Sequence, residues 1–214
     1  LAEHGPPRMT LSELDEDGQA EVIRLGRAWL EGAGAGGVSA FRAGSFGADA
    51  NTPRALNRVG ITIDSSHNRA GGKGPMIADL GDAPAVIDGV LEVPQTVYRD
   101  ALGRLRHAQL GSSSVGEIRA AMELAQQRGR KAFVILSHSA ELLTGDRDRP
   151  DRLVVRRFEC LCRVLADHRQ RWPTGGFRGM TAADAVSDTG DETLHVGAWN
   201  TARRYAEQAL RRFA

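Results

Sequence analysis

Four side chains suited to proton transfer or ion pairing come at the ends of short apolar stretches, and they are Arg42, Asp64, Glu92 and His138. An imidazole exchanges protons near neutral pH, a guanidinium binds an anion through two parallel hydrogen bonds, and a carboxylate accepts protons or cations. In α/β proteins the carboxyl ends of parallel strands meet at one edge of the sheet, where active sites commonly lie. The pattern therefore indicates a candidate site for acid–base chemistry at such an edge.

Each of these residues also has a structural interpretation that position alone leaves open. His138 can pack and hydrogen bond locally, and Arg42 can form a salt bridge at the surface. Asp64 can act as a base or a ligand, or it can cap the turn of Ser65 and the serine after it. Glu92 has the same alternatives, or it can pair with an arginine.

Several other patterns do not meet the requirements of known sites. No two of the six histidines lie one to five residues apart, so the chain encodes no local histidine pair for a metal. Cys160 and Cys162 are two residues apart in a predicted helix and cannot face each other to form a disulfide or a metal pair. The glycines of residues 32–37 follow a helix and precede a strand, which is the reverse of a dinucleotide fingerprint.

The elements that must position the four side chains follow from hydrophobic spacing and from capping residues. Predicted helices cover residues 15–32, 51–60, 115–129, 151–172, 181–186 and 199–213. Predicted strands cover residues 38–42, 61–63, 90–93 and 131–136, and residues 69–85 form a long loop. This alternation predicts an α/β fold with a parallel sheet covered by helices, in one domain.

The composition excludes several classes of protein. The chain has 214 residues, of which 41% are hydrophobic and 26% charged, and this excludes bulk disorder. A net charge of +1 argues against a nucleic-acid partner, and the absence of a long apolar run argues against a transmembrane segment. Two cysteines exclude a disulfide scaffold. A reduced cysteine pair and the absence of an export signal predict a cytoplasmic location.

Five short segments around these residues occur in the order expected of a known family. They are FRAGSFG at residues 41–47, NTPRALNRVG at 51–60, IDSS at 63–66, LEVP at 91–94 and ILSHS at 135–139. On these segments the sequence resembles the polysaccharide deacetylase (NodB-homology) superfamily, and more narrowly its WbmS-like branch from surface-polysaccharide gene clusters. The resemblance covers roughly residues 20 to 145.

The resemblance implies a distorted (β/α) barrel, usually of seven strands, and metal-assisted hydrolysis of an acetamido group on a sugar. It implies that Arg42 orients a catalytic carboxylate and that His138 protonates the leaving amine. Asp64 is expected among the catalytic residues. Ser65, Glu92 and Ser139 are expected to line the substrate pocket.

The metal ligands of the family are the main departure from its pattern. They are an aspartate and a histidine pair, and they precede the arginine loop. Here the only histidine before Arg42 is His4, and most of the preceding residues form one predicted helix. We therefore expect residues 1–214 to be an N-terminally incomplete domain without its first strands. A divalent metal, expected to be zinc, would then be held in the intact protein by ligands outside this chain. The alternative is a natural form without a metal site.

The functional hypotheses differ in class. The first is an enzyme that removes N-acetyl groups from a sugar or polysaccharide in surface-polysaccharide (lipopolysaccharide) biosynthesis. The second is a non-catalytic carbohydrate-binding relic of the same fold. The third is another hydrolase of non-peptide C–N bonds from the superfamily. A barrel without its first strands exposes sheet edges, so a homodimer is a further expectation.

Overall fold

The computed structural model describes residues 10–71, 80–187 and 192–211, and the chain divides into two compact units. The first unit comprises Leu1–Pro94 and Phe177–Val186, and the second comprises Gln95–Gly176 and Ser187–Ala214. Each unit has its own sheet, helices and buried apolar residues. The interpretation of the whole chain as one domain stays a prediction.

Within the described residues the first unit contains three α-helices, each introduced by a residue suited to a helix start. Helix α1 is Glu16–Gly32, and the carboxylate of Asp15 accepts the N–H of Gly18 at its first turn. Helix α2 is Thr52–Arg58, with a proline in its first turn. Helix α5 is Ala182–Ala185, and it begins with a capping box. All three agree with predicted helices to within a few residues.

The sheet of the first unit has four short strands within the described residues. They are β1 (Ala40–Phe41), β2 (Ile63–Asp64), β3 (Ala85–Ile87) and β4 (Val90–Glu92). Their order is β1-β2-β4-β3, in which β1, β2 and β4 are parallel and β3 is antiparallel to β4. The carboxyl ends of three parallel strands therefore lie side by side.

An apolar core holds the two long helices of the first unit against this sheet. Its buried members come from α1, from α2, and from the chain at β2 and β4, and they are Ala20, Ile23, Ala55, Leu56, Ile61 and Val90. Burial of such side chains contributes about 25 cal/mol per Å² of apolar surface. This packing fixes the strands from one side. Their carboxyl ends are followed by polar residues.

In the part of the second unit that the structure describes, there are a three-stranded sheet and three α-helices. The strands are β5 (Val97–Arg99), β6 (Leu105–His107) and β7 (Leu194–His195), in the order β6-β5-β7. The helices are α3 (Val115–Gln127), α4 (Arg152–Asp167) and α6 (Ala198–Arg211). Ser114 and Glu117 form a capping box at the start of α3. Leu110, Ile118, Val154 and Leu161 belong to the core between α3 and α4.

Several predicted elements differ from the structure. Residues 131–136 do not form a buried strand: they are half-buried or exposed, and of these residues only Leu136 makes a bridge, to Gln109. The apolar side chains of Phe133 and Ile135 pack beside the core of α3 and α4, which accounts for the apolar pattern without a strand ladder. Helix α4 ends at Asp167 rather than at residue 172.

The loop predicted over residues 69–85 is tested only in part, because residues 72–79 lie outside the described residues. The end of that loop enters β3, which was not predicted. The predicted mixture of helices and parallel strands is confirmed. Neither sheet closes into a barrel by itself within the described residues. No helix in this part of the chain is long and apolar enough to cross a membrane.

Candidate active site

The carboxyl ends of β1, β2 and β4 bring three of the predicted site residues together in the first unit. The strand register places Phe41 opposite Asp64, and Asp64 opposite Glu92. Arg42 follows the last residue of β1 directly. The side chains of Asp64 and Glu92 are therefore neighbours on adjacent parallel strands, and both residues are buried, with 0% and 1% exposure.

The guanidinium of Arg42 is held by one residue, Ser65. Its Nε–H donates to the carbonyl oxygen of Ser65 and its Nη2 donates to the hydroxyl of Ser65, each at 3.1 Å. The Ser65 hydroxyl in turn donates to the carbonyl oxygen of Val93 at 2.7 Å. The Phe177 ring centroid lies 6.0 Å from the guanidinium carbon. Arg42 as a whole is exposed, so a fixed positive group is presented at the surface of this unit.

Asp64 connects the chain segments that follow β1 and β2. Its Oδ1 accepts the N–H of Ser65 at 2.7 Å and the hydroxyl of Ser66 at 2.6 Å. The oxygen of that hydroxyl accepts the N–H of Ala43, the residue after Arg42, at 2.8 Å. The turn-capping interpretation of Asp64 is therefore confirmed. The same contacts fix the backbone next to Arg42.

Glu92 and Asp64 form a carboxyl pair. Oε1 of Glu92 accepts the N–H of His67 at 3.0 Å. Within the described part of the chain, Oδ2 of Asp64 and Oε2 of Glu92 are buried and have no hydrogen-bond partner. Two buried carboxylates side by side repel each other, so this arrangement disfavours ionisation of both acids. We therefore predict that the pair shares one proton.

The pKa values of the two acids agree with this arrangement. Burial raises the pKa of Asp64 to about 6, against the lowering effect of hydrogen bonds from Ser66, Glu92 and the backbone. Burial raises the pKa of Glu92 well above its usual range, and the charge of Asp64 raises it further. Because more donors stabilise the charged form of Asp64, we expect Glu92 to be the member of the pair that holds the proton.

The charges of the pair also act on Arg42. Both carboxyl groups attract the guanidinium electrostatically, although neither is fixed to it through the hydrogen bonds described above. A surface salt bridge is therefore not the arrangement that holds Arg42. The guanidinium is oriented by Ser65 and lies in the field of a buried acid pair.

His138 and Ser139 belong to the second unit, whereas Arg42, Asp64, Ser65 and Glu92 belong to the first. His138 begins a turn of 3-10 helix, Ser139–Leu142, and its Nδ1 accepts the N–H of Ala140 at 3.3 Å. Both His138 and Ser139 are exposed. The sequence led us to expect all the site residues in one pocket, and this expectation stays a prediction.

Three residues outside the predicted set of site residues contribute to the two clusters. Ser66 and the backbone of His67 supply hydrogen bonds to the two acids, and both belong to the polar stretch that follows β2. Glu141 lies three residues after His138 and contacts the same turn. The position of His67 in the loop of Asp64 indicated that it could approach the site, and Ser66 was expected only as part of the turn after Asp64. No sequence signal marks Glu141.

The divalent metal implied by the resemblance needs several donor side chains placed around one point. No group of three or more histidine, cysteine, aspartate or glutamate side chains is placed to hold a metal within residues 10–71, 80–187 and 192–211. Asp64 and Glu92 lie on adjacent strands and provide only two carboxyl groups. These residues do not fit the metal, and no step of the proposed reaction depends on a metal ion.

A cleft of about 530 Å³ adjoins Arg42 in the first unit. Helix α1 and the chain of β1 form its walls, which are mostly apolar, and Arg42 and Ala43 contribute to its rim. Asp64 and Glu92 do not line it. A molecule in this cleft would meet the guanidinium directly and the acid pair only through Arg42 and Ser65.

Comparisons with known proteins assign no family to this chain. A scan against models of protein families, a search of curated proteins and a search of solved structures each find no match.

Proposed function

We propose that this protein is a hydrolase that removes N-acetyl groups from a sugar or polysaccharide, as the sequence resemblance implies. The observation that carries the proposal is the guanidinium of Arg42, fixed by Ser65 beside a buried acid pair at the carboxyl ends of parallel strands. A rigid cation at this edge of a sheet is suited to stabilising negative charge that develops on a substrate.

The reaction requires such a group. Water adds to the acetamido carbonyl carbon, the carbonyl oxygen gains negative charge, and the C–N bond then breaks to give acetate and a free amine. The bonds to Ser65 use the Nε–H and one N–H of Nη2. The donors of Nη1 take no part in these bonds, and in the proposal they bind the developing oxyanion. Asp64 and Glu92 act on the guanidinium through their charges and, in the proposal, are positioning residues.

His138 enters the proposal through the resemblance, as the acid that protonates the leaving amine. Its exposed ring meets the requirement that a general acid be reachable by substrate. Ser139 and Ser65 enter as residues near the sugar.

The finer parts of the proposal have separate support. The parallel strands β1, β2 and β4 with α1 and α2 support a distorted (β/α) barrel of the polysaccharide deacetylase type. The free thiols of Cys160 and Cys162 support a cytoplasmic location.

The proposal is tested by incubating the protein with a panel of acetamido sugars and oligosaccharides, with and without added Zn²⁺. Acetate and free amine are both quantified. We expect them to appear in equal amounts from at least one member of the panel, because hydrolysis of one acetamido group gives one of each. O-acetylated sugars of the same backbone serve as the control for ester hydrolysis.

Two results of this assay would contradict the proposal. Binding of a sugar without release of acetate would favour the non-catalytic carbohydrate-binding relic. Release of amine from an amide or amidine of another kind, with no acetate from any acetamido sugar, would favour another hydrolase of non-peptide C–N bonds.

A further inference from the structure

Glu141 belongs to the turn that begins at His138. It lies on the same turn of 3-10 helix, and its N–H donates to the carbonyl oxygen of His138 at 2.9 Å. This bond closes the turn that presents the imidazole. Contacts that fix the position of Glu141 therefore also fix the position of His138.

The carboxylate of Glu141 is held by two donors. Its Oε2 accepts the N–H of Gly111 at 3.0 Å, and its Oε1 accepts the side-chain amide of Gln109. Because Oε1 and Oε2 each accept an N–H from the segment Gln109 to Gly111, the turn is tied to that segment from two directions.

Gly111 is matched to this contact. A Cβ atom at this position would lie 2.9 Å from both the carboxyl carbon and Oε2 of Glu141. Such a distance is shorter than real Cβ contacts, so a larger residue would displace the carboxylate. A glycine here thus leaves room for the approach of Glu141.

The chain before His138 is fixed to the same segment. The N–H of Leu136 donates to the carbonyl oxygen of Ala108 at 2.8 Å, and the N–H of Leu110 donates to the carbonyl oxygen of Leu136 at 3.0 Å. His138 is therefore bracketed by two attachments to residues 108–111, one through Leu136 and one through Glu141. Its Nδ1 accepts the N–H of Ala140, so in the neutral ring the proton lies on Nε2.

We propose that Glu141 is a positioning residue for His138, fixing the turn and the ring orientation through its contacts with Gln109 and Gly111. The inference rests on the proposed function, in which His138 protonates the leaving amine. It adds a residue that acts through another and does not touch substrate. Misplacement of a proton donor by about 1 Å lowers turnover strongly.

Two substitutions disturb the contact between Glu141 and Gly111, one at each residue. Glu141→Gln leaves one acceptor oxygen where two N–H groups need one each, so its amide nitrogen faces a donor. Gly111→Ala displaces the intact carboxylate by contact. We expect each to lower kcat about tenfold with KM within about twofold, because ring orientation and not substrate binding is changed. We also expect both to alter the ¹⁵N signals of the His138 ring, which distinguish the two tautomers.

The matched control is Glu123→Gln, which makes the same substitution in an exposed i,i+4 ion pair on α3. It should leave kcat and the ring signals of His138 unchanged. A kcat within twofold of wild type in Glu141→Gln overturns the inference. A lower kcat with unchanged ring signals also overturns it, because a loss of general structure would then explain the rate.

The ring signals keep this test separate from the proposed function. If the wild-type protein releases no acetate, the proposed function fails and the spectra alone decide. Altered His138 signals in both Glu141→Gln and Gly111→Ala then support the positioning role. Unchanged signals in either variant overturn it.

Discussion

Arg42→Lys is expected to lower the rate of acetate release about 100-fold, with little change in the folded structure. An arginine fork donates from Nε and Nη2 to two acceptors of Ser65 and keeps further donors for the substrate. A lysine ammonium keeps the charge but cannot make these bonds and stabilise an oxyanion in the same geometry. Loss of one such donor costs on the order of 100-fold to 1000-fold in kcat.

The control for this prediction is Arg54→Lys on α2, where the guanidinium lies at the surface and pairs with Glu16. Exposed ion pairs contribute little, so this variant should retain wild-type turnover. Steady-state release of acetate is measured for both variants at the same enzyme concentration. Equal rates for Arg42→Lys and wild type would remove Arg42 from the chemistry.

Glu92→Ala is expected to destabilise the protein by about 3 kcal/mol. The substitution leaves the buried N–H of His67 without its acceptor and places a methyl group beside Asp64, whose buried Oδ2 has no other hydrogen-bond partner within the described residues. Removing one partner of a buried polar pair leaves the other to bear its desolvation cost. Glu92→Gln should stay within about 1 kcal/mol of wild type at pH 7, because its amide donates to Asp64 and accepts from His67.

The pH dependence of stability follows from the same pair. Both acids have pKa values raised above their ordinary values of 3.8 and 4.5, so the folded protein holds more protons than the unfolded chain above these values. This contribution is complete at about pH 4 and is lost as the pH rises through about 6, where Asp64 titrates, and through the raised pKa of Glu92. The slope approaches about 1.4 kcal/mol per pH unit for each proton. In Glu92→Gln the slope should be smaller.

Urea unfolding followed by circular dichroism at pH 5, 6, 7 and 8 measures both effects. Glu123→Ala on α3 is the control, since its carboxylate is partly exposed and pairs with a surface arginine. A loss in Glu92→Gln as large as that in Glu92→Ala would show that the proton between Asp64 and Glu92 does not contribute to stability.

The sequence predicted those parts of the fold that depend on local patterns. The amphipathic spacing of α1 and α3 and the caps Asp15 and Ser114 act within one turn or one helix, so they can be identified without knowledge of the tertiary structure. The convergence of Arg42, Asp64 and Glu92 was also predicted, because the carboxyl ends of parallel strands share one edge.

The parts that could not be predicted depend on contacts between distant residues. The direct pairing of Asp64 with Glu92 requires β2 to lie beside β4, although β3 comes between them in the chain. Strands of two or three residues carry too little alternation to be identified, and β7 was missed for this reason. The contact of Glu141 with Gly111 joins residues 30 apart in the chain.

The site depends on one claim above all, that Asp64 and Glu92 share a proton at neutral pH. Infrared spectroscopy of the protein in D₂O at pD 7 tests it directly, because a protonated carboxyl group has a C=O band distinct from that of a carboxylate. We expect this band in wild type and in Glu141→Gln, and its loss in Glu92→Gln. A wild-type spectrum identical to that of Glu92→Gln would mean that both acids are ionised, and it would contradict the account of the site.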